Sequence, residues 1–91
     1  MSQPVCRLED LNSGGGAVLN GINSILVNGR PVAAKTFSNV KGHDTHPTNP
    51  IVEGDHTVLV GTFPIAFITC KCACGHIMIE GSPNVIVRGI P

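Results

Sequence analysis

Six side chains able to bind a borderline or soft metal fall in two short stretches: His43 and His46 within residues 41–47, and Cys70, Cys72, Cys74 and His76 within residues 70–76. Zinc takes four nitrogen or sulfur ligands at the corners of a tetrahedron. His43-x-x-His46 can offer two imidazoles from one tight loop. Cys74-x-His76 can offer two more donors, because residues i and i+2 share a face of an extended segment. Cys72 falls on that same face, roughly 6–7 Å from Cys74, so spacing alone leaves the two cysteines as alternatives. A site closed by four protein ligands has no open position for water or substrate and is structural.

The remaining members of these residue types read differently. Cys6 is expected as a small buried core residue, and His56 as a surface residue. Residues 1–4 carry no basic or apolar signal segment, so synthesis in the cytoplasm and reduced thiols are expected. In that setting a metal outranks a Cys70–Cys74 disulfide. Enzymatic signatures are missing: no Ser-His-Asp elbow, phosphate loop or His-Glu-x-x-His helix occurs. Cys72 with His76 could act as a nucleophile and base, but a metal would consume the thiolate. Glu53 and Glu80 fall in corresponding turns, which points to structure. The chain is therefore expected not to be an enzyme.

The elements that must position these donors follow from composition and repetition. Ninety-one residues make a single domain, with a core too small to be secure without a metal or a partner. Glycine (11) and proline (7) are plentiful, and Val and Ile dominate the apolar set, which favours short strands joined by tight turns. The formal charge is zero, with neither a basic stripe nor an aromatic platform, which argues against nucleic acid. No apolar run approaches the roughly 20 residues of a membrane-spanning helix.

The chain repeats itself. Pro4, Pro31, Pro64 and Pro91 stand 27, 33 and 27 residues apart. Gly21-x-x-x-Ile25-x-Val27, Gly54-x-x-x-Val58-x-Val60 and Gly81-x-x-x-Val85-x-Val87 hold one register before the last three of these prolines. The units are about 4–30, 31–63 and 64–91, the middle one carrying a six-residue insertion. Each predicts strand, loop, strand, turn, strand, with Gly21, Gly54 and Gly81 supplying turns at positive φ. The strand after each glycine is apolar on both faces, through Leu26, Leu59 and Ile86, so it is either buried on both sides or docked on another protein. One hairpin cannot bury its own face, so three must pack around a shared axis into an all-β body with pseudo-threefold symmetry.

At these residues the chain resembles the PAAR-repeat family, named for a Pro-Ala-Ala-Arg signature. Pro4-Val5-Cys6-Arg7 and Pro31-Val32-Ala33-Ala34-Lys35 are degenerate copies, Pro64-Ile65-Ala66 is a weaker one, and the likeness extends over essentially the whole chain. It implies a small cone of short hairpins with a metal site near its apex. The blunt base would cap a trimeric β-helical spike, one chain per trimer. The point would lead the spike of a type VI secretion system, a contractile phage tail or a related injection particle through a target membrane, with a cargo effector as a further partner. The chain would then be carried outward, secreted or virion-associated. Family members hold zinc near the apex with His and Cys ligands. Cys74 lies four residues after Cys70, which stands where the family has Asp, so the repeat position favours His43, His46, Cys74 and His76, with Cys72 as the alternative ligand. The family's Gly-Asp is Glu9-Asp10 in the first unit and is lost in the other two, and the first ligand position is Gly14. The competing reading is a stand-alone zinc-binding β-module serving as an adaptor or metal carrier.

Overall fold

A computed structural model describes residues 3–42 and 47–87. Among these residues the chain forms eight short strands and no helix. Two hairpins are built alike. β2 (Ile22–Val27) pairs with β3 (Arg30–Val32), and β6 (Asp55–Val60) pairs with β7 (Phe63–Ile65), both antiparallel. Asn28-Gly29, with φ of 54° and 80°, turns the first, and Gly61, with φ of 66°, turns the second. Asn-Gly is the dipeptide that a tight hairpin with two left-handed residues demands. A third antiparallel pair joins the two ends of the described chain: β1 (Gln3–Pro4) lies against β8 (Ile86–Val87), Gln3 opposite Val87 and Pro4 opposite Ile86. β4 (Asn39–Val40) and β5 (Asn49–Pro50) flank the insertion of the middle unit.

The three signature segments meet in a closed ring of backbone hydrogen bonds. Cys6 N–H donates to Ala66 C=O, Ala66 N–H to Ala33 C=O and Ala33 N–H to Cys6 C=O, at 3.0, 3.0 and 2.9 Å. All three residues are fully buried, which explains the small side chain at this offset of each signature. Around the ring the core stacks in two layers. Val5, Val27, Val32, Val60 and Ile65 pack on the hairpin side. Val18, Val40, Ile51, Cys70, Cys72 and Met78 pack on the loop side.

A turn follows each signature and is closed the same way three times. Glu9, Thr36 and Thr69 take φ of 73°, 71° and 82°. Directly or one residue later comes a buried acceptor. Asp10 Oδ2 accepts Arg7 N–H at 2.7 Å, Ser38 Oγ accepts Ala34 N–H at 3.0 Å, and Cys70 Sγ accepts Phe67 N–H at 3.5 Å. Asp10 also binds the Arg7 and Arg30 guanidiniums at 3.0 and 2.6 Å. Hydrogen bonding to Asp10 raises the pKa of Arg7 against the opposing effect of burial.

Two expectations are corrected. Gly21, Gly54 and Gly81 do not take positive φ, and the hairpins do not turn on them. The strands after Gly21 and Gly54 pair instead with the signature strand that follows, and the strand after Gly81 pairs with the first signature strand, β1. The glycines are required by close approach: a Cβ would lie 2.7 Å from Pro31 O at Gly21, 2.9 Å from Pro64 Cβ at Gly54 and 3.0 Å from Pro4 Cβ at Gly81. Of the two environments expected for the strand after the glycine, burial on both sides is ruled out. Leu26, Leu59 and Ile86 are 60%, 57% and 57% exposed, beside half-exposed Ile25, Val58 and Val85.

Candidate metal centre

Loops from all three units gather at the end away from the hairpins. Residues 12–17, 40–42 with 47–50, and 72–77 are cross-linked through their backbones and polar side chains. Lys41 N–H donates to Ala17 C=O, Ser13 N–H to Ile77 C=O and Ala73 N–H to Pro50 C=O, at 2.7–2.9 Å. The residue before each close-packed glycine ties its unit to the next. Asn20 Oδ1 accepts Asn39 N–H, Glu53 Oε1 accepts Lys71 N–H and Glu80 Oε1 accepts Leu11 N–H, at 2.7, 3.0 and 3.0 Å. Glu53 and Glu80 thus act as structural acceptors.

His43 and His46 lie outside the described residues. The residues flanking them are drawn together, since Gly42 N–H donates to Thr48 Oγ1 at 3.2 Å. The third loop sits against the returning arm of this one: Asn49 Oδ1 accepts Cys74 N–H at 3.1 Å. Cys74 is half-buried. Half-buried His76 has its Nδ1 3.1 Å from Ser13 Oγ in the first loop.

The segment carrying Cys72, Cys74 and His76 is not extended. Cys72 N–H donates to His76 C=O at 2.8 Å, Gly75 N–H donates to Cys72 C=O at 2.9 Å, and Gly75 has φ of 99°. These contacts make a tight turn, so strand alternation does not govern which side chains share a face. Cys72 points into the core, where its sulfur lies 3.7 Å from Asn12 Nδ2 and 3.9 Å from Met78 Sδ. Burial raises the pKa of Cys72, partly offset by the Asn12 hydrogen bond. Its sulfur is thus turned toward the core, away from the side chain of His76 on the loop surface.

Cys6 is fully buried, its thiol 3.2 Å from Glu80 C=O, and its pKa is raised well above the ordinary 9.0, chiefly by burial. Cys70 is raised to about 12, also chiefly by burial. All four cysteines are free thiols. His56 is exposed on β6. Among the described residues no group of three or more His, Cys, Asp or Glu side chains is clustered to hold a metal. Cys74 and His76 are the described members of the expected set.

The model of the PAAR motif family matches residues 8–77 and, in a second register, residues 41–91. The chain belongs to the PAAR-motif family. Two overlapping matches are what a repeated signature produces. The motif is associated with tip proteins of secretion and injection spikes, a structural and non-enzymatic family. No curated protein matches the chain.

The missing Asp residues now have an explanation. Ser38 and Cys70 occupy the place of Asp10 and accept the same turn-closing hydrogen bond, so the role persists while the residue type changes. Sequence reasoning missed Ser13 and read Gly14 only as a lost ligand position, because an unliganded loop gave no further signal. Only the fold places them against His76.

Proposed function

We propose that this PAAR-motif chain caps a trimeric β-helical spike and forms its metal-stiffened point. The observation that carries the reading is the arrangement of three exposed apolar pairs, Ile25-Leu26, Val58-Leu59 and Val85-Ile86. Each lies at the same offset from its glycine, on β2, on β6, and at the start of β8, which Val85 immediately precedes. A monomer that exposes apolar side chains in three equivalent places fits a partner with threefold symmetry. A β-helix end offers apolar rungs and unpaired strand edges, which such a surface would cover.

The opposite end is read as the point. His43, His46, Cys74 and His76 would hold one zinc ion, a set of borderline nitrogen and thiolate donors suited to that metal. Bound zinc would staple the second and third loops, and the binding free energy, on the order of 10 kcal/mol in small zinc domains, would act as folding energy. Half-buried Cys74 suits this role better than core-facing Cys72. On this reading the chain is made in the cytoplasm, carried outward on the spike and brought into brief contact with a target membrane, together with any cargo effector.

Docking is tested by placing one acidic residue on each hairpin, as Leu26→Asp, Leu59→Asp and Ile86→Asp together. The triple variant is expected to keep its melting temperature within a few degrees and to lose co-purification with the trimeric spike protein. Retained co-purification would move the docking surface elsewhere.

A further inference from the structure

The first loop has glycine where the third has Cys74, and so supplies no ligand of its own. It nevertheless touches His76 on two sides. Ser13 Oγ lies 3.1 Å from Nδ1 of the ring and accepts the Ile77 N–H at 3.1 Å. Ser13 N–H donates to Ile77 C=O at 2.7 Å, so the serine is fixed by both backbone groups of the residue after His76. Gly14 packs on the ring: a Cβ there would lie 2.7 Å from Cδ2, 2.7 Å from Nε2 and 3.1 Å from Cε1. Those three atoms form the Nε2 edge.

We infer that Ser13 and Gly14 are positioning residues for His76, the serine setting the ring through Nδ1 and the glycine leaving room at the Nε2 edge. The inference rests on the reading of His76 as a metal ligand. A histidine bound to metal through one nitrogen carries a proton on the other, which needs an acceptor to fix tautomer and ring orientation. Ser13 Oγ has two lone pairs, one for Ile77 N–H and one for Nδ1–H. Glycine at position 14 is then required by the ring it faces, because any side chain would push His76 aside. The asymmetry of the three loops becomes a division of labour. The second and third loops would bind the metal, and the first holds one ligand in place.

The test compares the unsubstituted chain with Ser13→Ala, Ser13→Thr and Gly14→Ala. Zinc affinity is measured by chelator competition, the visible spectrum of the cobalt-substituted protein is recorded, and the 15N resonances of the His76 ring are followed without metal. Ser13→Ala should weaken zinc binding about 10-fold, the lower end for loss of such a partner. It should also shift the His76 nitrogens in the metal-free protein, and Ser13→Thr should restore both. Gly14→Ala should alter the cobalt spectrum while leaving the metal-free melting temperature nearly unchanged. Zinc affinity and ring resonances unaffected by Ser13→Ala would overturn the positioning role alone. No metal uptake by the unsubstituted chain would overturn the metal reading and this role with it.

Discussion

At the scale of single residues, the fold turns on side chains that serve the backbone. Asp10, Ser38 and Cys70 close equivalent turns with three different chemistries, and their removal should carry different costs. Ser38→Ala loses one neutral hydrogen bond and should cost about 1 kcal/mol. Asp10→Ala leaves Arg7, whose side chain is only 11% exposed, without its carboxylate and should cost about 3 kcal/mol. Denaturant unfolding of the two variants measures the difference, and equal costs would contradict it. The buried thiols make a second expectation. Cys6 and Cys70 have folded pKa values raised above 9.0, so the unfolded chain releases their protons first as pH rises. The Cys70 contribution to stability is intact below about pH 9 and is lost as pH climbs toward 12, and that of Cys6 is likewise lost only above pH 9. Melting temperatures should fall above pH 9, less steeply in Cys6→Ala, and a flat profile would argue against the burial account. Spacing displayed the donor residues at once. It could not show that Cys72 faces the core, because the turn at Gly75 breaks the alternation on which that inference relied.

At the scale of elements, the repeat was plain in sequence while its pairing was not. Pro and Gly recur in register, yet each strong hairpin straddles a unit boundary, joining the strand after one glycine to the signature strand of the next unit. Glycine serves both positive-φ turns and close approach, and a sequence does not distinguish them. Gly29 and Gly61 do the first, Gly21, Gly54 and Gly81 the second. Gly21→Ala would drive a Cβ to within 2.7–2.9 Å of backbone atoms of Pro31 and Val32. It should cost about 1–3 kcal/mol, as overpacking does. Thermal or denaturant unfolding reads this directly, and a neutral substitution would contradict the packing account. Ala33→Val should fail similarly by crowding the hydrogen-bonded ring around the axis.

For the whole molecule, a small body is drawn shut by the pairing of its first and last described strands. β1 and β8 form the third antiparallel pair, without a connecting turn, and the three signature segments share one ring of hydrogen bonds. The hairpin end repeats evenly and exposes apolar residues, while the loop end differs from unit to unit. Symmetry was legible because it is written in prolines and glycines at fixed offsets. The work of the loop end was less so, since Ser13 and His76 are 63 residues apart and meet only in the fold. If zinc staples the loops, its removal by chelation should lower the melting temperature by 10 °C or more, because about 1 kcal/mol shifts a domain of this size by several degrees. An unchanged melting temperature would remove the staple.

The central claim, one threefold-symmetric cap on one trimer, is tested most directly by the native mass of the complex with the trimeric β-helical spike protein. One chain bound to three spike subunits is the predicted mass. Three chains per trimer, or no complex, would contradict it.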